Sequence, residues 1–309
     1  VPFIGGGRGA GLGEPSGEDG AANEREDLLV MTIVLGLLRV MTPEDWEGFL
    51  QTAMADVRER VLLLTKLCKY LGQCCGSGAF PKSWGMMVGF QFSTILKFVR
   101  TLEASPYFRA KANAFNAVEP PPSPLPAEAT PEQAALAELF EAEKSMWEAF
   151  FSMCVSFQMC RALEQDKLSL VFQERYGDLR DPMSVVTRRT WKFFSRKFQL
   201  FPGVLKSFLQ LADMPRKMIT TNALEGYFST VLFDFEQNQN LSFVKEATLD
   251  ALTTLPVSAS FCPTFFRALK ERFDAVPQLQ PLWPQFDEMN VYVSLTRRLD
   301  AVPDTEDMQ

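Results

Sequence analysis

Apolar residues recur every three or four positions along most of this chain, and no convincing stretch alternates in the manner of a strand. Thr42-Pro43-Glu44-Asp45 opens the clearest helix: Thr42 can cap, Pro43 suits the first helical position, and two acids favour the positive end of the dipole. From Trp46 and Phe49 through Met54, Val57, Val61, Leu64 and Cys68 to Leu71, one apolar stripe predicts an unbroken helix that stops at Gly72. A loop from Gln73 to Phe80 then leads to a helix from Pro81 to Glu103 with Trp84, Val88, Phe92, Ile95 and Val99 inward. Joined by a short loop, these two helices are expected to lie antiparallel as the unit of a stack. Before them, Leu28 to Met41 is too short to cross a bilayer and holds Gly36 and Arg39, so it reads as a buried helix.

The same grammar returns at Thr130-Pro131-Glu132-Gln133, a capping box opening a helix to about Leu163. A helix from about Lys167 to Tyr176 follows. Asp181-Pro182 then reads as an N-cap with proline at the first helical position, Phe201-Pro202-Gly203 as a break before Val204 to Leu211, and Met214-Pro215 as the opening of a helix towards Phe235. After the polar turn Glu236 to Asn240, helices are expected at Ser242 to Leu252, Pro263 to Phe273 and Phe286 to Leu299. The fold class predicted is all-α, an α-solenoid of stacked antiparallel helices in the armadillo/HEAT manner.

Composition divides the chain further. Residues 1–26, rich in Gly, Glu, Asp and Ala, read as a disordered leader, in which Leu12 to Gly20 cannot open a helix. Gly5 to Ala10 loosely match a dinucleotide fingerprint, but no strand precedes them and the match is set aside. Residues 27–116 form a first helical block. The proline-rich stretch 117–131 is an extended linker, 132–255 a second block, and 256–309 a proline-punctuated helical tail. The chain starts at Val1 and shows no signal-peptide pattern, which reads as a processed chain or a fragment in the cytoplasm.

The 309 residues contain no histidine, which removes histidine general bases, Ser–His–Asp and Cys–His hydrolases, and zinc sites that need imidazole. Six cysteines without CxxC spacing read as reduced thiols, with no metal or other cofactor. A net charge of −7 disfavours a nucleic-acid partner. Phe outnumbers Tyr by 27 to 5, so the aromatics are expected in dry packing. Among the acids, Glu44, Asp45 and Glu47 sit at a helix start and Asp178 and Asp181 flank a turn, Asp178 holding it with Arg180; none reads as catalytic.

Two features read as contact sites. Arg188, Lys192 and Arg196 are spaced i, i+4, i+8 and would share one helical face, with Arg189 and Lys197 beside it. That face suits acidic lipid headgroups or an acidic partner. Pro121 and Pro124 form a PxxP that could dock to an SH3 domain, although no basic residue flanks it closely and a plain spacer reads better.

Tyr176-Gly177-Asp178-Leu179-Arg180, then Trp191, then Phe201-Pro202-Gly203-Val204, then Tyr227-Phe228 resemble the DOCK (dedicator of cytokinesis) family in order and spacing. The resemblance extends from about Leu28 to about Leu252. DOCK proteins are atypical guanine nucleotide exchange factors for Rac and Cdc42, and the matching part is the helical-repeat region that precedes their catalytic docker domain. The resemblance therefore implies a non-enzymatic scaffold segment, with no catalytic residue to carry over. It implies a parent that meets a Rac/Cdc42-type GTPase through the docker domain, with room for an ELMO-type adaptor, a homodimer and peripheral recruitment to the plasma membrane. The other reading is an independent helical-repeat adaptor without exchange activity.

Overall fold

The computed structural model describes residues 17–300 apart from 55, 78–84, 123–128, 165–167 and 259. Among the described residues every regular element is helical. In chain order the α-helices are α1 (Gly17–Val40), α2 (Pro43–Gly48), α3 (Val57–Ser77), α4 (Gly85–Ala104), α5 (Pro106–Ala117), α6 (Pro131–Met159) and α7 (Leu170–Tyr176). There follow α8 (Arg180–Trp191), α9 (Pro202–Ala212), α10 (Lys217–Asn238), α11 (Ser242–Thr254), α12 (Phe261–Asp274) and α13 (Trp283–Asp300).

One hydrophobic cluster runs from Met31 in α1 to Val293 in α13. The most extensive helix pair is α3 with α6, which joins the segments before and after the proline-rich stretch. That stretch is therefore a connection inside a shared core and not a boundary between two packing units. Around the α3–α6 pair, α1 packs on α4, and α4 on α5, α7 and α8; α6 meets α8 and α9, which carry α10 and α11, and α12 packs on α13 at the C-terminal end.

Several elements differ from the sequence reading. The expected antiparallel unit of α3 and α4 is not the principal pairing, since α3 lies against α6 and α4 against α1 and α8. The reason is visible at Gly72, expected to end its helix. It lies inside α3, and a Cβ there would come within 3.4 Å of the Met153 Cα in α6, so the missing side chain lets two backbones cross closely. The stripe from Trp46 to Leu71 is split into α2, a π-helical turn Phe49–Ala53 and α3. Its periodicity survives because Trp46, Leu50, Val61 and Leu64 are buried on both sides of the break.

Residues 17–26, assigned to the leader, belong to α1, where Ala21, Ala22, Glu24 and Glu26 have good helical propensity. Residues 1–16 lie outside the described residues. An unforeseen helix, α5, starts at Pro106 directly after Ser105 and inserts Phe108, Ala112 and Phe115 into the core. α10 runs on to Asn238, through residues read as a turn, and stops at Gln239 with φ 55°. The capping boxes at Thr42/Asp45 and Thr130/Gln133 are both formed, and all six cysteines are free and buried.

Candidate functional site

The residues that carry the family resemblance form a single block across α7 to α11. Tyr176 closes α7 with its ring against α4, where a Cβ on Gly89 would lie 2.4 Å from the ring. Gly177 then takes φ 63°, a region that glycine enters without strain. Asp178 is the hub that follows. Its Oδ1 accepts from the Arg180 backbone N–H and from Arg180 Nε, both at 3.0 Å, and its Oδ2 accepts from Arg180 at 2.9 Å and Arg216 at 2.8 Å. Both side chains of the Asp178–Arg180 pair are almost wholly buried. Asp181, read as an N-cap, sits instead in the first turn of α8, and both of its oxygens accept from Arg216 at 2.6–2.7 Å. These contacts and burial oppose one another on Arg216, and the carboxylates win, holding its pKa above the ordinary value.

Trp191 sits at the centre of the block. It is fully buried, donates from Nε1 to Thr230 Oγ1 at 3.0 Å, and places its ring 5.5–6.3 Å from those of Phe151, Phe201 and Phe208. Pro202 occupies the first turn of α9, which begins two residues ahead of the expected Val204. In α10, Tyr227 bonds Thr248 Oγ1 of α11 at 2.7 Å, and burial pushes its hydroxyl pKa up. Tyr176, Asp178, Asp181, Trp191 and Tyr227 each bring two elements together. The motif's chemistry is structural, and its acids are occupied in ion pairs. Asp45 is likewise occupied by its capping box and Glu47 accepts from Gln51 at 3.0 Å. Among the described residues no group of His, Cys, Asp and Glu could hold a metal ion.

The basic run is arranged differently from its sequence spacing. α8 ends at Trp191, and Lys192–Phe194 tighten into a 3-10 turn. The tighter turn carries Phe194 into the core, 4.8 Å from Trp147 and 5.5 Å from Phe201. Arg188, Lys192 and Arg196 therefore do not form one continuous helical face. Lys192 and Arg196 are exposed on turns, Lys197 is half-buried, and Arg188 is half-buried with its Nε facing no acceptor. Arg189 is spoken for by Glu103 at 2.7 Å. Glu103 is itself buried at the end of α4, and its backbone carbonyl accepts from Arg109 Nε at 3.0 Å. Arg109 thus joins the basic surface through α5, and the Ser105-Pro106 helix start was the signal for it. Pro121 is half-buried beyond α5, while Pro124 lies outside the described residues.

A hollow of about 880 Å³ lies over α6 between the end of α3 and the start of α9. Ser152 and Ser156 floor it, with Gly76 on one wall and Gly203 and Ser207 on the other. A shallower hollow of about 450 Å³ shares Glu148, Ser152 and Ser156 and continues the groove towards Ser145. Small neutral side chains make up much of both linings, with Glu148 common to the two, Arg161 in the first and Lys69 in the second. Comparison with protein-family models, with curated proteins and with solved structures gives no match.

Proposed function

We propose that this chain is a helical scaffold segment of a DOCK-type exchange factor, a stack of armadillo/HEAT-like layers that holds a lipid-binding and a docker module at fixed geometry. The observation that carries this reading is the behaviour of the resembling residues. Tyr176 to Arg180, Trp191, Phe201 to Val204, and Tyr227 with Phe228 are spread over more than fifty positions, yet Leu179, Arg180, Trp191, Phe201, Val204 and Tyr227 are buried and Tyr176 and Phe228 pack half-buried against the same core. A motif whose apolar members serve packing between helices is what a scaffold needs. In this reading the segment works in the cytoplasm, its parent is recruited to the plasma membrane, and exchange on Rac or Cdc42 belongs to a docker domain elsewhere in the parent. No helix among the described residues is long and apolar enough to cross a membrane, which suits peripheral recruitment.

The test is fluorescent-GDP release from Rac and Cdc42 in the presence of magnesium, with and without the chain. The expected result is release at the intrinsic rate, and binding of the chain to an ELMO-type adaptor in a pull-down. Accelerated release would overturn the scaffold assignment, and absence of adaptor binding would favour an independent helical adaptor.

A further inference from the structure

The α3–α6 pair gathers five of the six cysteines: Cys68, Cys74 and Cys75 on α3, Cys154 on α6 and Cys160 directly after it. Contacts at both ends of the pair fix its register. Arg58, near the start of α3, pairs with Glu138 in the early turns of α6 at 3.0 Å, and Gly72, near the end of α3, crosses Met153, towards the end of α6. The two helices therefore run in the same direction and finish side by side. Cys75 stands just before the end of α3 and Cys160 just after the end of α6, and both line the hollow of about 880 Å³ at that place.

The two sulfurs are neighbours as well. Burial does most to push the Cys75 thiol up, and the charges of Cys160, Cys74 and Cys154 add to it in that order. Cys160 leads although it is the least buried of the three. The effect of a charge weakens with exposure and with distance, so its sulfur stands nearest. Cys160 is also the better nucleophile of the pair. Burial raises its pKa, but the N–H groups of Ala162 and Leu163 and the charge of Arg180 favour its thiolate, whereas at Cys75 every cause acts the other way. Cys160 has left the helix, with φ −64° and ψ 116°, and a helix end adjusts to disulfide geometry more readily than a helix interior.

We infer that Cys75 and Cys160 are a redox pair, in which a hydroperoxide oxidises Cys160 and Cys75 then closes a disulfide that ties α3 to the end of α6. In the first step the Cys160 thiolate takes one oxygen from the hydroperoxide. The O–O bond breaks, and the departing oxygen takes up a proton to leave as water or an alcohol, with Cys160 as the sulfenic acid. In the second, the Cys75 sulfur attacks the Cys160 sulfur, the S–O bond breaks, and hydroxide leaves with the Cys75 proton as water. Two thiols lose two electrons and the peroxide gains them. The bridge closes a long loop that contains the proline-rich stretch, so it fixes the most extensive helix pair of the chain. Such a bond in a reducing compartment is transient, as a sensor requires, and the inference stands whether or not the exchange-factor reading does.

The test treats the reduced full chain with hydrogen peroxide, then unfolds it with iodoacetamide present and measures mass and peptide linkage. The chain should lose two hydrogen atoms, and four of its six thiols should still take the label. The linked peptides should be those of Cys75 and Cys160, and the melting temperature should rise by several degrees and return with dithiothreitol. Cys75→Ser should leave the sulfenic acid on Cys160 to be captured by dimedone, Cys160→Ser should abolish both products, and Cys262→Ser, on α12, should change nothing. The linkage map of the unaltered chain decides the matter even if a serine variant misfolds. Six labelled thiols after peroxide overturn the inference, as does a bridge between any other two cysteines or one that forms only in urea. Dimedone on Cys75 in place of Cys160 overturns the order of attack.

Discussion

The block from α7 to α11 and the N-terminal pair α1–α2 are both helical and both rich in apolar residues, yet they are held in different ways. In the block, aromatic rings meet in three dimensions: Trp191, Phe194 and Phe201 approach one another within 5.5–6.4 Å, and polar atoms among them are matched across helices. At the N-terminal end, α1 buries one side of an apolar helix and leaves the other open, and α2 is held by local devices, a capping box and Trp46. Hydrophobicity alone does not distinguish the two regions. What distinguishes them is whether the apolar surface has a partner among the described residues.

That contrast predicts a gradient of mutational cost. Trp191→Ala should be the most damaging single change, destabilising by about 3–5 kcal/mol, because it opens a cavity ringed by aromatics and takes the indole donor from Thr230, whose hydroxyl keeps only its bond to the Gly226 carbonyl. Chemical denaturation measures it, and a loss below about 1 kcal/mol would mean that the block is far looser than its ring contacts indicate.

Alkaline pH attacks the same interior by another route. Burial pushes the Cys68 thiol up from 9.0 to about 12 and raises Cys75, Cys154 and the Tyr227 hydroxyl as well. These groups stay protonated in the folded chain while the unfolded chain releases their protons above about pH 9 for the thiols and about pH 10 for the phenol. The unfolded state then binds fewer protons, so stability must fall as pH rises. Each group contributes up to about 1.4 kcal/mol per pH unit above its unfolded value. The melting temperature should be level from pH 7 to 8.5 and decline beyond 9, more steeply past 10. A flat profile to pH 11 would contradict the burial of these thiols.

The smallest effect belongs to the N-terminal pair. Thr42→Ala removes one side of the α2 capping box, in which Asp45 N–H donates to Thr42 Oγ1 at 3.1 Å and Thr42 N–H to Asp45 Oδ2 at 2.8 Å. The expected loss is about 1 kcal/mol, read as faster amide exchange confined to α2. A loss of global stability as large as that of Trp191→Ala would erase the distinction between the two regions.

Much of this architecture is written in local sequence. Pro43, Pro131 and Pro202 each mark a helix start because a proline at the first helical position sacrifices no hydrogen bond. Helices α12 and α13 fall where apolar spacing and proline punctuation put them. Asp178 with Arg180 was legible as a turn clasp because the two lie two residues apart. Arg216 was not, since it reaches Asp178 and Asp181 from the residue just before α10, with no local pattern to announce it.

The sequence by itself determined that this chain is helical, where most helices begin, and which side chains seek a dry interior, because each of these depends on contacts a few residues apart. Only the tertiary structure decided which helices are partners. Gly72 is a crossing point and not a stop because Met153 approaches it from α6. α8 ends at Trp191 and the next turn tightens, bringing Phe194 into the aromatic cluster, so the basic residues lose the shared face that their spacing promised. At the N-terminus of α11 Leu241 offers no acceptor; Asn240 Oδ1 takes the Ser242 N–H at 3.0 Å, but the Val244 N–H is met only by Asp234 of α10, also at 3.0 Å. In every such case the deciding atom lies on a different helix, and helical periodicity carries no information about which neighbour will supply it.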